Sequence, residues 1–152
     1  MKKIFVIGAA ALAFAAAPAM ANETRVEARG GIVWANGFDE ATAGIAAGYD
    51  FDLGETAFAG VEVSGDKILT DNTRVSFGFG GRVGAKLGEA GKLYVASSYQ
   101  TKPCSFCDDS VSVGAGYQHA LGEKLYAKVE YRRYIADGTD LNGAVIGIGA
   151  QF

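Results

Sequence analysis

The 152-residue sequence contains little of several residue types: two prolines, two cysteines, one tryptophan and one histidine. The scarcity of proline excludes a collagen-like chain, and the scarcity of cysteine excludes a disulfide-dense scaffold. Beyond residue 21, no stretch approaches the roughly 18 consecutive apolar residues that a membrane-spanning helix requires. If the chain enters a membrane, it does so with strands, and its length allows one domain.

The first 21 residues have the features of a secretory signal peptide. Two lysines open this segment, residues 4–17 form an apolar run, and the small residues at 19–21 provide a cleavage site. Cleavage there predicts a mature domain over residues 22–152, with 12 basic and 17 acidic side chains. Because this domain is acidic, we expect no nucleic-acid partner.

The mature sequence alternates between apolar and polar side chains with a period of two. From residue 74 to residue 87, the odd positions include Phe77, Phe79 and Val83, whereas the even positions include Arg82 and Lys86. Because a strand sends successive side chains to opposite faces, this alternation predicts a strand with one apolar and one polar face. Eight segments show it, at 25–34, 43–51, 57–64, 74–87, 93–100, 111–118, 125–132 and 143–152. One large apolar side chain, Phe58, falls on the polar face.

The connections between these segments alternate in length. Short links are predicted at 53–56, 88–91 and 121–124, and longer polar links near 35–41, 65–73, 102–109 and 135–142. An even number of antiparallel strands, with short turns at one end and longer loops at the other, is typical of a bacterial outer-membrane barrel. The sequence therefore predicts an all-β, eight-stranded, antiparallel up-and-down transmembrane barrel over residues 22–152.

Aromatic residues gather near the ends of the predicted strands, where amphipathic rings would meet the boundary between lipid and water. The long-loop end carries Trp34, Tyr99 and Tyr131. The short-turn end carries Tyr49, Phe51, Tyr117 and Phe152. This placement predicts two aromatic girdles.

Four stretches carry a resemblance to a known family: the hairpin over 48–62, the glycine-aromatic strand at 114–117, the strand at 129–132, and the last strand with its terminal Phe152. They resemble the small eight-stranded outer-membrane barrels, the family of the outer-membrane protein A transmembrane domain, outer-membrane protein X and the opacity-type porin-like proteins. The resemblance implies that Phe152 belongs to the signal read by the barrel assembly machinery. It also implies surroundings of outer-membrane lipid and lipopolysaccharide. Such barrels serve as anchors, adhesins, narrow pores and occasionally enzymes, so the fold leaves the function open.

The polar face predicts a charge network inside the barrel. Its members are Arg29, Glu62, Arg82, Lys128, Glu130 and Arg132, with Glu62 and Glu130 as acceptors for the four cations. The inward set also contains Arg25, Glu27, Asp50, Asp52, Arg74 and Lys86. A buried ion without a partner costs several kcal/mol, so these residues must pair or meet water.

An eight-stranded interior is just wide enough to be filled by side chains. A polar plug is therefore the leading expectation, in a monomeric barrel with a structural role in envelope integrity and surface presentation. A narrow passive pore for ions or small solutes is the first alternative. A soluble secreted barrel that binds a small apolar ligand is the second, and it requires the apolar face to point inward.

Two features of the outer end have open interpretations. The predicted rim is acidic and would either hold divalent cations shared with lipopolysaccharide or be simply solvated; its acidic residues are Asp39, Glu40, Asp66, Asp71, Asp108, Asp109, Asp137 and Asp140. Arg133 falls on the lipid-facing parity near the outer end. It would either reach a lipid phosphate or lie at the water boundary.

The remaining chemistry-bearing residues do not form a catalytic or metal site. Cys104 and Cys107 are expected to form a loop disulfide after export to an oxidising compartment, and one pair cannot complete a zinc site. His119 is the only histidine and precedes a short turn, with no serine beside it. We therefore expect no enzyme, no cofactor and no metal.

Overall fold

Residues 22–152, which the computed structural model describes, form eight antiparallel strands closed into a barrel. The predicted signal peptide at 1–21 lies outside the described residues. The strands are β1 (Glu23–Ala35), β2 (Phe38–Asp52), β3 (Ala57–Ile68), β4 (Ser76–Leu87), β5 (Gly91–Gln100), β6 (Ser110–Ala120), β7 (Leu125–Ala136) and β8 (Leu141–Gln151). The predicted eight-stranded antiparallel barrel is confirmed. Within residues 22–152, no helix is long and apolar enough to cross a membrane.

The barrel closes where β8 pairs with β1. The register runs from Arg25 opposite Gln151 to Trp34 opposite Asn142. Beyond it, the Phe152 amide donates to the Thr24 carbonyl at 2.8 Å, and the Thr24 amide donates to the Phe152 carbonyl at 3.0 Å. In hydrocarbon every backbone donor and acceptor needs a partner, and this seam leaves the sheet without an edge.

The apolar face points outward. Ile45, Val95 and Ile146 are 69%, 58% and 66% exposed, whereas Arg25 and Lys128 are buried inside. A soluble barrel with an apolar interior would show the opposite arrangement, so that alternative is wrong. The outward apolar face is the surface that a barrel presents to lipid.

The connection between β1 and β2 differs from the prediction of a long link at 35–41. It is a two-residue turn at 36–37, in which Gly37 takes a φ of 75° that favours glycine. β2 therefore begins at Phe38, and the polar residues Asp39 and Glu40 belong to the strand. Their charge was mistaken for a loop signal, although a barrel strand can carry charge where it extends beyond the hydrocarbon.

Arg74 was predicted to face inward on β4, and this prediction is wrong. The strand begins at Ser76, and Arg74 is exposed in the preceding loop. Its backbone amide donates to the Pro103 carbonyl at 2.8 Å, and its guanidinium donates to the Ser105 hydroxyl. Arg74 therefore joins two outer loops and takes no part in the barrel interior.

Candidate functional site: the barrel lumen and its outer rim

The inward-facing side chains fill the barrel interior, the lumen, with ion pairs. Seven cations and seven carboxylates take part, so this set has no net formal charge when all are ionised. The cations are Arg25, Arg29, Arg82, Lys86, Lys92, Lys128 and Arg132. The carboxylates are Glu23, Glu27, Asp50, Asp52, Glu62, Asp66 and Glu130. Pairing compensates for the high cost of taking each ion out of water.

Glu62 contacts three arginines. Its carboxylate oxygens lie 2.8 Å from Arg25 Nη1, 2.9 Å from Arg29 Nη1 and 3.3 Å from Arg132 Nη2. The sequence predicts Arg29 and Arg132 as partners of the acceptors Glu62 and Glu130. Arg25 was placed on the inward face, but parity alone did not assign it an acceptor.

Glu130 lies between two cations of its own strand. Arg132 Nε donates to its carboxylate, and Lys128 Nζ lies 3.5 Å away. The Tyr94 hydroxyl also donates to Glu130, at 2.6 Å. Lys128 lies closer to Glu27, at 2.5 Å. Because alternate residues of a strand share a face, the order lysine, glutamate, arginine on β7 places opposite charges side by side.

Arg82 differs from the prediction, because it pairs with Asp50 and not with Glu62 or Glu130. Arg82 Nε donates to Asp50 Oδ1 at 3.0 Å, and Arg82 Nη1 donates to Gln118 Oε1 at 3.0 Å. The guanidinium carbon also lies 4.8 Å from the centroid of the Tyr94 ring. The strand register decides this partner, since Asp50 and Arg82 lie on either side of Gly60 in one row across β2, β3 and β4.

Several polar contacts cross a glycine in this way, joining side chains two strands apart. Besides the Asp50, Gly60 and Arg82 row, such rows contain Arg29, Gly44 and Asp66; Arg25, Gly48 and Glu62; Tyr94, Gly116 and Glu130; and Glu27, Gly149 and Tyr126. A Cβ atom at Gly60 would overlap the Asp50 carboxylate. The inward glycines thus provide the space across which the network forms.

We predict that Gly60→Ala lowers the free energy of unfolding by about 1–3 kcal/mol, because the added methyl displaces Asp50 from Arg82. Gly65→Ala on the same strand is the matched control, since its Cβ would meet only side chains at van der Waals distance, Val75 at 3.4 Å and Phe77 at 3.9 Å. We expect this control to change stability by about 1 kcal/mol or less. Urea unfolding in phospholipid vesicles measures both variants. Equal losses would contradict the bridging role of Gly60.

Three aromatic side chains complete the filling of the lumen. Phe58, Tyr94 and Tyr126 are at most 2% exposed. Phe58 lies under two cations, with Arg82 Cζ and Lys92 Nζ each 5.3 Å from its ring centroid. A cation over an aromatic face is attracted to its ring electrons, which explains a large apolar residue on the polar face. Sequence reasoning did not single out Tyr126, although its position two residues before Lys128 places it on the inward parity.

At the outer rim, the loop between β5 and β6 is fixed by a disulfide and by hydrogen bonds. Cys104 and Cys107 form a disulfide across the tip of the loop between β5 and β6, where Phe106 is fully exposed. Within this loop, the Lys102 amide donates to Asp109 Oδ1 at 2.9 Å. A hydrogen bond from the Tyr99 hydroxyl lowers the pKa of Asp109. The loop is therefore tied at its base and at its tip.

The acidic rim is smaller than the sequence suggests. Asp66 was assigned to it but faces the lumen from β3, where Arg29 Nε donates to its Oδ1 at 2.7 Å. Arg133 is exposed and pairs with Asp140 at 2.8 Å, so its charge already has a partner on the protein. Residues 22–152 contain no group of three or more histidine, cysteine, aspartate or glutamate side chains arranged to hold a metal ion.

The aromatic residues proposed for the two girdles lie on the outer surface near the strand ends. At the long-loop end, the Trp34 and Tyr131 ring centroids are 6.3 Å apart, and the Tyr131 hydroxyl donates to Asn142 at 2.6 Å. Tyr99 is exposed on the same end. At the other end, Tyr49 packs edge-on against Phe51 with centroids 4.8 Å apart. The Tyr117 hydroxyl and His119 Nδ1 share a hydrogen bond of 3.1 Å near a short turn.

Comparison with known proteins identifies the relatives of this barrel. The family model described as the outer membrane protein beta-barrel domain matches residues 7–152. No curated protein matches the chain by sequence.

Three solved structures share the fold. A de novo designed transmembrane β-barrel superimposes with a TM-score of 0.59 at 18% identity, over 86% of this chain and 95% of its own. The Neisserial surface protein A gives a TM-score of 0.59 at 11% identity, over 86% and 95%. The N-terminal β-barrel domain of Pseudomonas aeruginosa OprF gives 0.57 at 15% identity, over 86% and 97%. Identities this low show the fold alone.

Proposed function

Because this chain belongs to the outer-membrane protein β-barrel family, we propose that it is a monomeric structural barrel whose closed lumen conducts no ions. In this proposal the barrel supports envelope integrity and presents a rigid rim at the cell surface. Its location in the outer membrane follows from the family and from the outward apolar face. No catalytic role is proposed, because the single histidine lies exposed beside Tyr117 near a short turn.

The filled middle section of the lumen is the observation that supports the proposal of a closed barrel. A cavity of about 390 Å³ lies at the outer end and another of about 430 Å³ lies at the short-turn end. No residue lines both cavities. The section between them holds Phe58, Tyr94, Tyr126 and the paired ions around Glu130. An ion crossing this section would have to displace buried, mutually bound side chains, which favours the plug over the narrow pore.

Conductance across a planar lipid bilayer tests this proposal. We expect the inserted barrel to give no steady single-channel steps, because the paired ions and rings leave no continuous water path. Folding of each preparation is checked by the change in gel mobility on heating. Steady steps in the natural protein that change size in Glu62→Ala or Arg82→Ala would overturn the proposal and establish the narrow pore.

We further propose that Phe152 is part of the signal read by the barrel assembly machinery, as the family resemblance suggests. Its side chain is 71% exposed next to the seam between β1 and β8. We predict that Phe152→Ala lowers the amount of folded barrel in cells while leaving refolding into vesicles from urea unchanged. Equal losses in both assays would show a structural role only.

The expected lipid partner is lipopolysaccharide in the outer leaflet. Arg133 is the proposed contact, because it lies at the outer end of the lipid-facing side of β7 and its side chain is 54% exposed. A lipid phosphate would have to replace Asp140 as its partner. The acidic loops beside it remain proposed as solvated surface, with divalent-cation binding as the alternative.

A further inference from the structure

The lining of the lumen becomes more apolar at its outer end. The inward positions of β1, β3, β7 and β8 at this end carry Val33, Ile68, Tyr134 and Leu141, and Val145 lies deeper, opposite Glu130 in the register. On β4, β5 and β6 the corresponding positions carry Ser76, Gln100 and Ser110, and the ion pairs lie below. Together with loop residues they line the outer cavity of about 390 Å³. An apolar lining is unfavourable in a mouth that meets only water, and concave apolar surfaces of this size are typical of ligand sites.

We propose that this outer cavity binds a small uncharged amphipathic molecule with one ring or branched aliphatic body and one hydrogen-bonding group. The volume lies near the lower end of the range of about 300–1,000 Å³ that small-molecule pockets occupy. The site goes beyond the proposed structural role, because it lies above the filled section and requires no passage through the barrel.

The hydrogen-bonding group of the ligand has a partner in the cavity wall. The Tyr134 side chain points into the cavity, and its hydroxyl has no hydrogen-bond partner among residues 22–152. A ligand hydroxyl or amide within reach of this oxygen would satisfy it. An apolar body would then contact Val33, Val145 and Leu141.

The charges around the cavity disfavour an anionic ligand. At its floor, Asp66 accepts from Arg29 Nε at 2.7 Å and from the Ser64 hydroxyl at 3.0 Å, so the floor charges are already paired. At its rim, Asp108 and Asp137 face a single lysine, Lys67. A carboxylate ligand would therefore meet a lining of net negative charge, in which, among residues 22–152, Lys67 is the one cation outside an ion pair.

Fluorine NMR of the barrel in lipid nanodiscs tests the proposal with two probes of equal size, para-fluorobenzyl alcohol and para-fluorobenzoate. We expect saturable line broadening of the alcohol beyond that in empty nanodiscs, and at least about tenfold weaker binding of the benzoate. Val145→Trp fills the cavity and should abolish binding. Ile146→Trp, which adds the same ring on the lipid face, is the matched control and should bind as the natural protein does.

Tyr134→Phe provides a second test that does not depend on filling the cavity. Removal of one neutral hydrogen bond should weaken binding of the alcohol by about fivefold. Heat-dependent gel mobility verifies that each variant is folded; if Val145→Trp does not fold, Tyr134→Phe decides. The proposal is overturned if the alcohol shows no protein-dependent broadening, if the benzoate binds equally well, or if both Ile146→Trp and a folded Val145→Trp retain full binding. Unchanged affinity in Tyr134→Phe would equally overturn it.

Discussion

Glu130→Ala is expected to lower the free energy of unfolding by about 3–5 kcal/mol, the usual cost of removing one partner from a buried ion pair. The Glu130 side chain is 1% exposed, and it contacts Arg132 and Lys128 on its own strand and the Tyr94 hydroxyl on β5. Its loss leaves Arg132 with only the 3.3 Å contact to Glu62. Urea unfolding in vesicles, followed by the fluorescence of Trp34, measures the change.

Two control variants accompany Glu130→Ala: one removes the charge but keeps the side-chain size, and one removes a carboxylate from the surface. Glu130→Gln keeps an acceptor for Tyr94 but removes the negative charge, so we expect a smaller loss than for alanine. Glu123→Ala removes an exposed carboxylate from the turn between β6 and β7 and should change stability by about 0.5 kcal/mol or less. A change for Glu130→Ala as small as that for Glu123→Ala would show that the lumen ions are solvated and not tightly paired.

Ile146→Arg is expected to lower the free energy of unfolding by about 2–4 kcal/mol, because a charge on the lipid face near the bilayer midplane is costly. Ile146 lies at the middle of β8 and is 66% exposed on the outer surface. In a soluble protein, the same exposed substitution would have little effect. The lipid environment alone makes this position intolerant of charge.

The matched control for depth is Leu125→Arg. Leu125 opens β7 next to a short turn and is 51% exposed on the same outer surface. Near the interface an arginine costs about 0–1 kcal/mol. Equal effects at the two positions would contradict the placement of β8 across the membrane.

Alternation of period two predicted the strand number and the division of each strand into an apolar and a polar face, because both depend only on which side of a strand each residue occupies. Parity alone did not decide which face meets lipid, and closure followed from the need to pair every backbone group in hydrocarbon. The short turns followed from the glycine-rich links. The prediction of a long link at 35–41 was wrong because Asp39 and Glu40 were read as loop residues, although they belong to β2 and the turn contains only residues 36–37. A charged residue indicates exposure to water, and the end of a strand is exposed to water just as a loop is.

The partner of Arg82 could not be predicted from parity. Arg82 and Asp50 are two strands apart, and they meet only because Gly60 lies between them in the register. The sequence gives no register, so Arg82 was assigned to the wrong carboxylates. The outer cavity was missed for a related reason, because Tyr134 and Val145 come from two strands and line one cavity only once β7 pairs with β8.

Quenching of tryptophan fluorescence by lipids brominated on their acyl chains tests the central claim most directly. In a Trp34→Phe background, tryptophan is placed at position 145 or at position 146, two neighbours that face the lumen and the outer surface. We predict strong quenching for Ile146→Trp and little for Val145→Trp. Equal quenching of the two variants, or stronger quenching at position 145, would contradict it.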